Sequence, residues 1–229
     1  MQKQADPNNG AVQVPLEEAL GQAFQLHQSG DLEQAQLIYR SILNTVPNEI
    51  NALHFLGIAL HQSGDSAGGI ELIERSIALA PHPHRYSDFG NVLLQVGRFE
   101  EATHALKRSL ELDPNNAIAH NNLGVVLKAQ KRFDEAESAF KKALAIHSQL
   151  GDAHNNLGDL MVMQERHNEC IEHYCKALAL MPMHIGVKKR LASAYYTLGE
   201  IEKAAEIYQQ WLAQEPDNPI ARHHLAACT

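Results

Sequence analysis

Apolar side chains recur along most of this sequence every three or four residues, the spacing that keeps one face of an α-helix apolar. The clearest stretch runs from His120 to Leu144. Within it, Leu123 and Leu127 mark the apolar face of one helix, and Phe140 marks that of a second. We therefore expect a hairpin of two short helices. Such a hairpin is too small to bury its apolar face without a neighbouring copy.

The sequence supplies these copies, because the hairpin pattern repeats with a period of 33 or 34 residues. The first helix of each copy carries a small residue, and the positions are Ala23, Gly57, Gly90, Gly124, Gly158 and Ala192, with Ala226 beginning a further turn. The second helix carries a small residue followed four positions later by a large one, namely Ala35 and Tyr39, Gly69 and Ile73, Ala102 and Leu106, Ala136 and Phe140, Cys170 and Tyr174, and Ala204 and Tyr208. Small residues let two helices approach, and large residues fill the space between them.

The turn inside each hairpin has its own signature. Four turns carry a glycine, which can take the left-handed conformation that ends a helix; these are Gly30, Gly64, Gly97 and Gly199. In the other two copies, Lys131 and Glu165 replace this turn glycine. Gly68 and Gly69 are predicted to weaken the second helix of their hairpin, since a helical glycine costs up to about 1 kcal/mol relative to alanine.

This pattern resembles the tetratricopeptide repeat, which has about 34 residues, a Leu-Gly pair in the first helix, an alanine and an aromatic residue in the second, and then a proline. The resemblance extends from Leu16 to Pro216. It implies an all-α fold, a right-handed α-solenoid (superhelix) of six helix pairs plus the start of a seventh first helix. We place the repeats at 16–49, 50–82, 83–116, 117–150, 151–184 and 185–218, between a flexible tail at 1–15 and a truncated partial helix at 219–229.

Composition narrows the class of protein. The chain has 229 residues and a formal net charge of -8. That balance argues against a nucleic-acid partner or an anionic membrane surface, both of which need clustered Lys and Arg. No apolar run approaches the ~20 residues of a membrane-spanning helix. Three cysteines form no disulfide framework, and a cytoplasmic location is predicted.

The fourteen histidines raise the question of a metal or catalytic site. The densest group, His167, Cys170, His173 and Cys175, lies on one predicted helix but on different sides of it, so it cannot close a tetrahedral metal site. His120 and His154 occupy the same position in successive repeats, and we expect them to stack between repeats. No phosphate-binding loop and no nucleophile elbow are present. We predict no catalytic residues, no metal and no cofactor.

The resemblance implies that the first helices line a concave groove and that this groove binds a protein or an extended peptide. The predicted partner-binding residues are His54, Asp88, Asn91, Asn121, Asn122, Asp152, Asn155, Asn156, Asp159, Lys189 and Arg190. An amide side chain both donates and accepts hydrogen bonds, so repeated asparagines can hold a peptide backbone of any sequence. The alternative is that these residues form solvated polar faces.

Two known binding modes of related repeats can be compared with this groove. Asn122 and Asn156 occupy the position that forms an asparagine ladder in O-linked N-acetylglucosamine transferases, although Asp88 and Arg190 depart from it. Repeats that clamp a C-terminal carboxylate need Lys and Arg where this chain has Ser87, Asp152 and Asn156, so we expect no binding of chaperone tails. Asn91 and Asn122 match only the amide positions of that clamp.

We therefore predict a non-catalytic interaction scaffold. The alternative is the recruiting arm of a larger bacterial enzyme, because residues 211–229 resemble the junction at which such repeats run into a methyltransferase domain, and bacterial glycosyltransferases carry similar arrays. We expect the chain either to continue beyond Thr229 or to dock there on another molecule. The end after Pro216 is apolar enough to pair with a second copy, which makes a homo-oligomer a further expectation.

Overall fold

The computed structural model describes residues 15–228, and this part of the chain is all-α, with thirteen helices and no strand. The predicted fold class is thereby confirmed. The predicted tail lies outside the described residues except for Pro15. The chain divides into two compact units, and the boundary in the sequence falls between Val96 and Gly97, inside the repeat predicted at 83–116.

Unit 1 contains five helices, α1 (Leu16–Ser29), α2 (Leu32–Thr45), α3 (Ile50–Gln62), α4 (Ser66–Leu79) and α5 (Pro83–Gln95). Unit 2 contains eight, α6 (Phe99–Leu112), α7 (Ala117–Ala129), α8 (Phe133–Ile146), α9 (Gly151–Met163), α10 (His167–Leu180), α11 (Ile185–Thr197), α12 (Ile201–Gln214) and α13 (Pro219–Ala226). From α2 to α12, helices of 14 and 13 residues alternate, as the repeat pattern requires, and α1 also has 14 residues.

Several helices begin at side-chain caps. Asp31 and Asp65 accept hydrogen bonds from the backbone N–H groups of Gln34 and Gly68, at 3.2 and 2.9 Å. Asn116 does the same for the N–H of Ala119 at the start of α7, at 3.0 Å. A capping oxygen satisfies an N–H group that the helix itself leaves unpaired.

The turn prediction is confirmed. Gly30, Gly64, Gly97 and Gly199 all have positive φ, between 76° and 99°. Lys131 and Glu165, in the two turns without glycine, also take the left-handed conformation, each with φ of 61°. Among the described residues these two are the non-glycine residues with positive φ.

We expect Lys131→Gly and Glu165→Gly each to raise the free energy of unfolding by about 0.5–1 kcal/mol. The left-handed conformation costs a residue with a Cβ about 1–2 kcal/mol, and glycine removes this cost. The larger conformational entropy that glycine loses on folding cancels only part of the gain. Lys142→Gly, at an exposed position inside α8, is the control and should lower it by about 1 kcal/mol. Urea unfolding of the full chain measures both. A loss of stability in the two turn variants would contradict the argument.

The core of unit 2 follows the predicted small and large positions. Ala136 and Phe140 are fully buried, and the ring of Phe140 lies directly over Gly124. Tyr174 lies over Gly158 in the same way. In each case a Cβ on the glycine would stand 2.5 Å from the ring, so the close approach depends on a residue without a side chain.

Three second helices of unit 2 each pack between two first helices. α8 contacts α7 and α9, α10 contacts α9 and α11, and α12 contacts α11 and α13. The first helices α7 and α9 also contact one another. The first helices therefore share one surface of unit 2, which we call the first-helix face.

Candidate functional site

Asp159 of α9 is the centre of a charged cluster on the first-helix face. Its Oδ1 accepts a hydrogen bond from the Tyr174 hydroxyl at 2.8 Å and forms an ion pair with Arg190 Nε at 2.9 Å. Its Oδ2 lies 3.5 Å from Lys128 Nζ. These contacts join α7, α9, α10 and α11. Asp159 can reach Tyr174 because Gly158, the residue before it, lets the ring come close to α9.

The buried side of this cluster is fixed by Tyr174. The tyrosine is 2% exposed, and burial, together with the negative charge of Asp159, raises the pKa of its hydroxyl far above the usual value. The hydroxyl therefore stays protonated and remains a donor to Asp159. The carboxylate is held from inside by this bond and from outside by two cations.

Arg190 contacts Asp159 through Nε, which leaves the outer edge of the guanidinium uncommitted. Its Nη1 lies beside Gly186, 3.1 Å from the place where a Cβ would stand. Within residues 15–228 neither Nη group has a hydrogen-bond partner, and the side chain is 41% exposed. An arginine held in this manner presents two parallel N–H donors to the solvent.

A depression of about 710 Å³ opens beside this cluster, and we call it the α9–α11 pocket. Its charged border is formed by Lys128, Asp159, Lys189 and Arg190. Val162 and Met163, in the last turn of α9, supply apolar surface and are 41% and 51% exposed. The pocket thus offers charged donors and an apolar wall to the same ligand.

Three asparagines form a second cluster on the same face, the amide cluster of Asn121, Asn122 and Asn156. Asn156 Nδ2 donates to Asn121 Oδ1 at 3.0 Å, and Asn121 Nδ2 donates to Asn122 Oδ1 at 3.4 Å. Within the described part of the chain, Asn122 Nδ2 and Asn156 Oδ1 have no partner, so a donor and an acceptor face outward. Asn156 precedes Asp159 by three residues and so lies on the same side of α9.

The structure brings some predicted residues together and separates others. Asn121, Asn122 and Asn156 meet in the amide cluster, and Asp159, Lys189 and Arg190 border the pocket. Asn155 is half-buried, and its Oδ1 has no partner among residues 15–228. Asn91 and Asp152 are exposed and join neither cluster.

His54 departs from the prediction that it lines a groove. It is 4% exposed, and its Nε2–H donates to Asp88 Oδ2 at 3.0 Å. Asn121, at the same position of a later repeat, is only 8% exposed. This position faces the packed interior of the repeat rather than the solvent, so His54 supports Asp88 from behind. Asp88 keeps a side chain that is 48% exposed.

The expectation that His120 and His154 stack between repeats is wrong. His120 Nε2 lies 3.0 Å from the carbonyl of Pro114, and His154 Nε2 lies 3.3 Å from that of Ser148, in both cases six residues earlier. Each ring donates to a carbonyl in the preceding loop. Since His154 donates from Nε2, its neutral Nδ1 accepts the bond from His173 Nδ1 at 3.1 Å.

The His154–His173 pair should make unit 2 sensitive to acid. Burial lowers the pKa of both rings, and the neighbouring His154 lowers that of His173 further; Lys176 adds to this, and Glu172 opposes it. The unfolded chain then binds more protons, so stability falls as pH drops below about 6.5. We expect thermal unfolding of the His173→Gln variant to depend less on pH in this range. Equal pH dependence in both proteins would contradict the prediction.

The dense His/Cys group has a structural role at Cys170. This residue is fully buried at the small position of α10, and its Sγ lies 3.0 Å from the carbonyl of His167. Burial raises the pKa of its thiol, which disfavours the thiolate. In residues 15–228 no three His, Cys, Asp or Glu side chains are arranged to hold a metal ion.

Several residues of the pocket were not predicted from the sequence, among them Lys128, Val162 and Tyr174. Lys128 and Val162 each stand four positions after the small glycine of their helix, one turn beyond the positions that were considered. Tyr174 was interpreted as core packing, which is correct for its ring but leaves out its hydroxyl. The four-residue offset was the signal that could have found the first two.

Comparison with known proteins identifies the repeats. Two family profiles described as tetratricopeptide repeat match residues 87–151 and 162–228. No curated protein matches the chain. The comparisons give no support to the resemblance of residues 211–229 to a methyltransferase junction, which stays a prediction.

Several solved structures share the fold. The Pseudomonas aeruginosa pilF structure has a TM-score of 0.77 at 18% identity and covers 93% of this chain and 97% of its own. PilW, described as a widely conserved type IV pilus biogenesis factor, has a TM-score of 0.81 at 18% identity, with the same coverage of 93% and 97%. YrrB, described as a TPR protein with an unusual peptide-binding site, has a TM-score of 0.56 at 21% identity and covers 76% of this chain and 90% of its own.

These identities are low, so the likeness to solved structures shows the fold alone. No helix between residues 15 and 228 combines the length and apolarity needed to cross a membrane. The two profile matches together take in more than half of the chain and fall on the repeats that the structure shows as packed helix pairs. The chain therefore belongs to the tetratricopeptide repeat family.

Proposed function

We propose that this chain is a non-catalytic scaffold that binds an extended segment of a partner protein on the first-helix face of unit 2. Tetratricopeptide repeat proteins generally mediate protein interactions, and the similar YrrB is described as having a peptide-binding site. The observation that carries the proposal is the amide cluster, which turns one donor and one acceptor outward. A peptide backbone carries the same two groups on every residue except proline.

The α9–α11 pocket supports binding rather than catalysis. The carboxylate of Asp159 is already engaged by Tyr174, Arg190 and Lys128. A carboxylate that is engaged by a hydroxyl and two cations is suited to positioning them and not to removing a proton from a substrate. Arg190 and Lys128 are thereby kept at the border of the pocket for a ligand.

Asn122→Ala combined with Asn156→Ala should weaken a peptide ligand about tenfold, because each lost hydrogen bond contributes roughly 0.5–1.5 kcal/mol. The probe is a peptide selected by the full chain from a random linear library, and its affinity is measured by fluorescence anisotropy. The control is Asn168→Ala, an exposed asparagine of α10 on a second helix. Thermal unfolding checks that the double variant remains folded. Unchanged affinity in the folded double variant would defeat the proposal.

The proposal extends to a cytoplasmic location, to the lack of nucleic-acid and membrane partners, and to a homo-oligomer through residues after Pro216. The alternative is the recruiting arm of a larger bacterial enzyme. For the homo-oligomer, α13 buries Ala221 against α12 and leaves Ile220 48% exposed. Light scattering over a range of concentrations tests it, and a mass fixed at 25.4 kDa would remove it.

A further inference from the structure

The α9–α11 pocket is positively charged on a negatively charged protein. Lys128, Lys189 and Arg190 border it, and Asp159 is the acidic residue among them. The balance is two positive charges on a chain whose formal net charge is -8. Positive potential in a concave site attracts an anionic ligand group, and the negative charge elsewhere on the chain weakens competing sites.

The position of Arg190 makes this attraction directional. Its Nε is held by Asp159, which is itself held by Tyr174 from the interior, so the guanidinium plane is fixed before a ligand arrives. Its two Nη groups have no hydrogen-bond partner within residues 15–228, and Nη1 lies beside Gly186, next to the ring of His184. A carboxylate pairs with two parallel N–H donors of this kind in a bidentate manner.

The apolar wall of the pocket adds a second requirement. Val162 and Met163 occupy the last turn of α9 and are each at least 41% exposed. Exposed apolar side chains at the edge of a polar site contribute when a ligand covers them. Methionine is flexible enough to fit side chains of different shape.

We infer that the α9–α11 pocket selects a peptide in which an Asp or Glu side chain stands next to a large apolar residue. The carboxylate binds the Nη groups of Arg190 with support from Lys189, and the apolar side chain covers Val162 and Met163. The inference rests on the proposed peptide-binding function and adds the chemical class of the ligand.

Selection of a random linear peptide library on the full chain tests this inference. We expect the selected peptides to be enriched in Asp or Glu beside Leu, Ile, Met or Phe. For one such synthetic peptide, Arg190→Gln should weaken binding about ten- to hundredfold, as expected for a hydrogen bond between charged groups. Lys189→Gln should weaken it about two- to fivefold, because its side chain is exposed.

The control is Arg108→Gln, which makes the same change on α6, where Arg108 pairs with Glu111 outside the pocket. It should leave the affinity unchanged. Replacing the acidic residue of the peptide by its amide should cause the same loss as Arg190→Gln, and the two losses should not add, because they remove one shared contact.

Two results would overturn the inference. One is a set of selected peptides without acidic residues, and the other is equal binding by wild type and Arg190→Gln. If such peptides still depend on Asn122 and Asn156, the proposed function stands and only the ligand class is wrong. If they bind the Asn122→Ala, Asn156→Ala variant at full strength, or if the library gives no binder, the proposed function fails as well.

Discussion

Phe140→Ala is expected to lower the free energy of unfolding by about 3–5 kcal/mol, the range for removing a fully buried aromatic side chain. Phe140 is 0% exposed, and its ring supplies the three atoms nearest to the place where a Cβ of Gly124 would stand. Because the cavity opens between α7 and α8, the loss should appear first as faster hydrogen exchange of those two helices.

Two further variants serve as comparisons for the loss of stability in Phe140→Ala. Phe140→Leu keeps most of the volume and should cost clearly less than the alanine variant. Ile118→Ala removes a side chain of α7 that is 56% exposed and should change stability by no more than about 0.5 kcal/mol. Urea unfolding and hydrogen exchange of the full chain measure all three. A Phe140→Ala variant as stable as Ile118→Ala would show that the hairpin does not depend on this contact.

Gly69→Ala should destabilise unit 1 by about 1–3 kcal/mol, whereas Gly68→Ala should be neutral or stabilise it by up to about 1 kcal/mol. A Cβ on Gly69 would stand 2.5 Å from the backbone oxygen of Gly57, so α3 and α4 would have to move apart. A Cβ on Gly68 would meet only the carboxylate of Asp65, at 2.6 Å, and that side chain can shift while it continues to cap α4.

The two variants change neighbouring residues in one helix by the same methyl group, so each controls for the other. Both gain the same helix propensity, and only Gly69 faces the backbone of α3. Thermal unfolding of the full chain compares them. A Gly69→Ala variant that is as stable as Gly68→Ala would mean that α3 and α4 are not packed at this distance.

The repeat architecture could be predicted from the sequence because the same helix-pair pattern occurs six times. The small residue of each first helix, the residue pair of each second helix and the turn position recur in register, so chance matches are rare. The weakening expected from Gly68 and Gly69 shows the limit of this reasoning. Helix propensity treats the two glycines alike, and only the distance between α3 and α4 shows that Gly69 is required there.

The candidate site was predicted less completely. Periodicity placed Asn122, Asn156 and Arg190 at equivalent positions of successive helices, but it could not show which neighbouring position faces inward. His54 was therefore assigned to the groove although it is buried against Asp88. Tyr174 was missed because its hydroxyl reaches Asp159 from another helix, and contacts between helices do not follow from the pattern of one.

We propose above all that the first-helix face of unit 2 recognises a peptide. The most direct measurement is a titration of the isotope-labelled full chain with a selected peptide, followed by NMR of the side-chain N–H groups. We predict that the amide signals of Asn122 and Asn156 and the Nε–H signal of Arg190 shift together and saturate at one affinity, while the amide signal of Asn168 stays in place. Shifts at Asn168 with none at Asn122, Asn156 or Arg190 would contradict the claim.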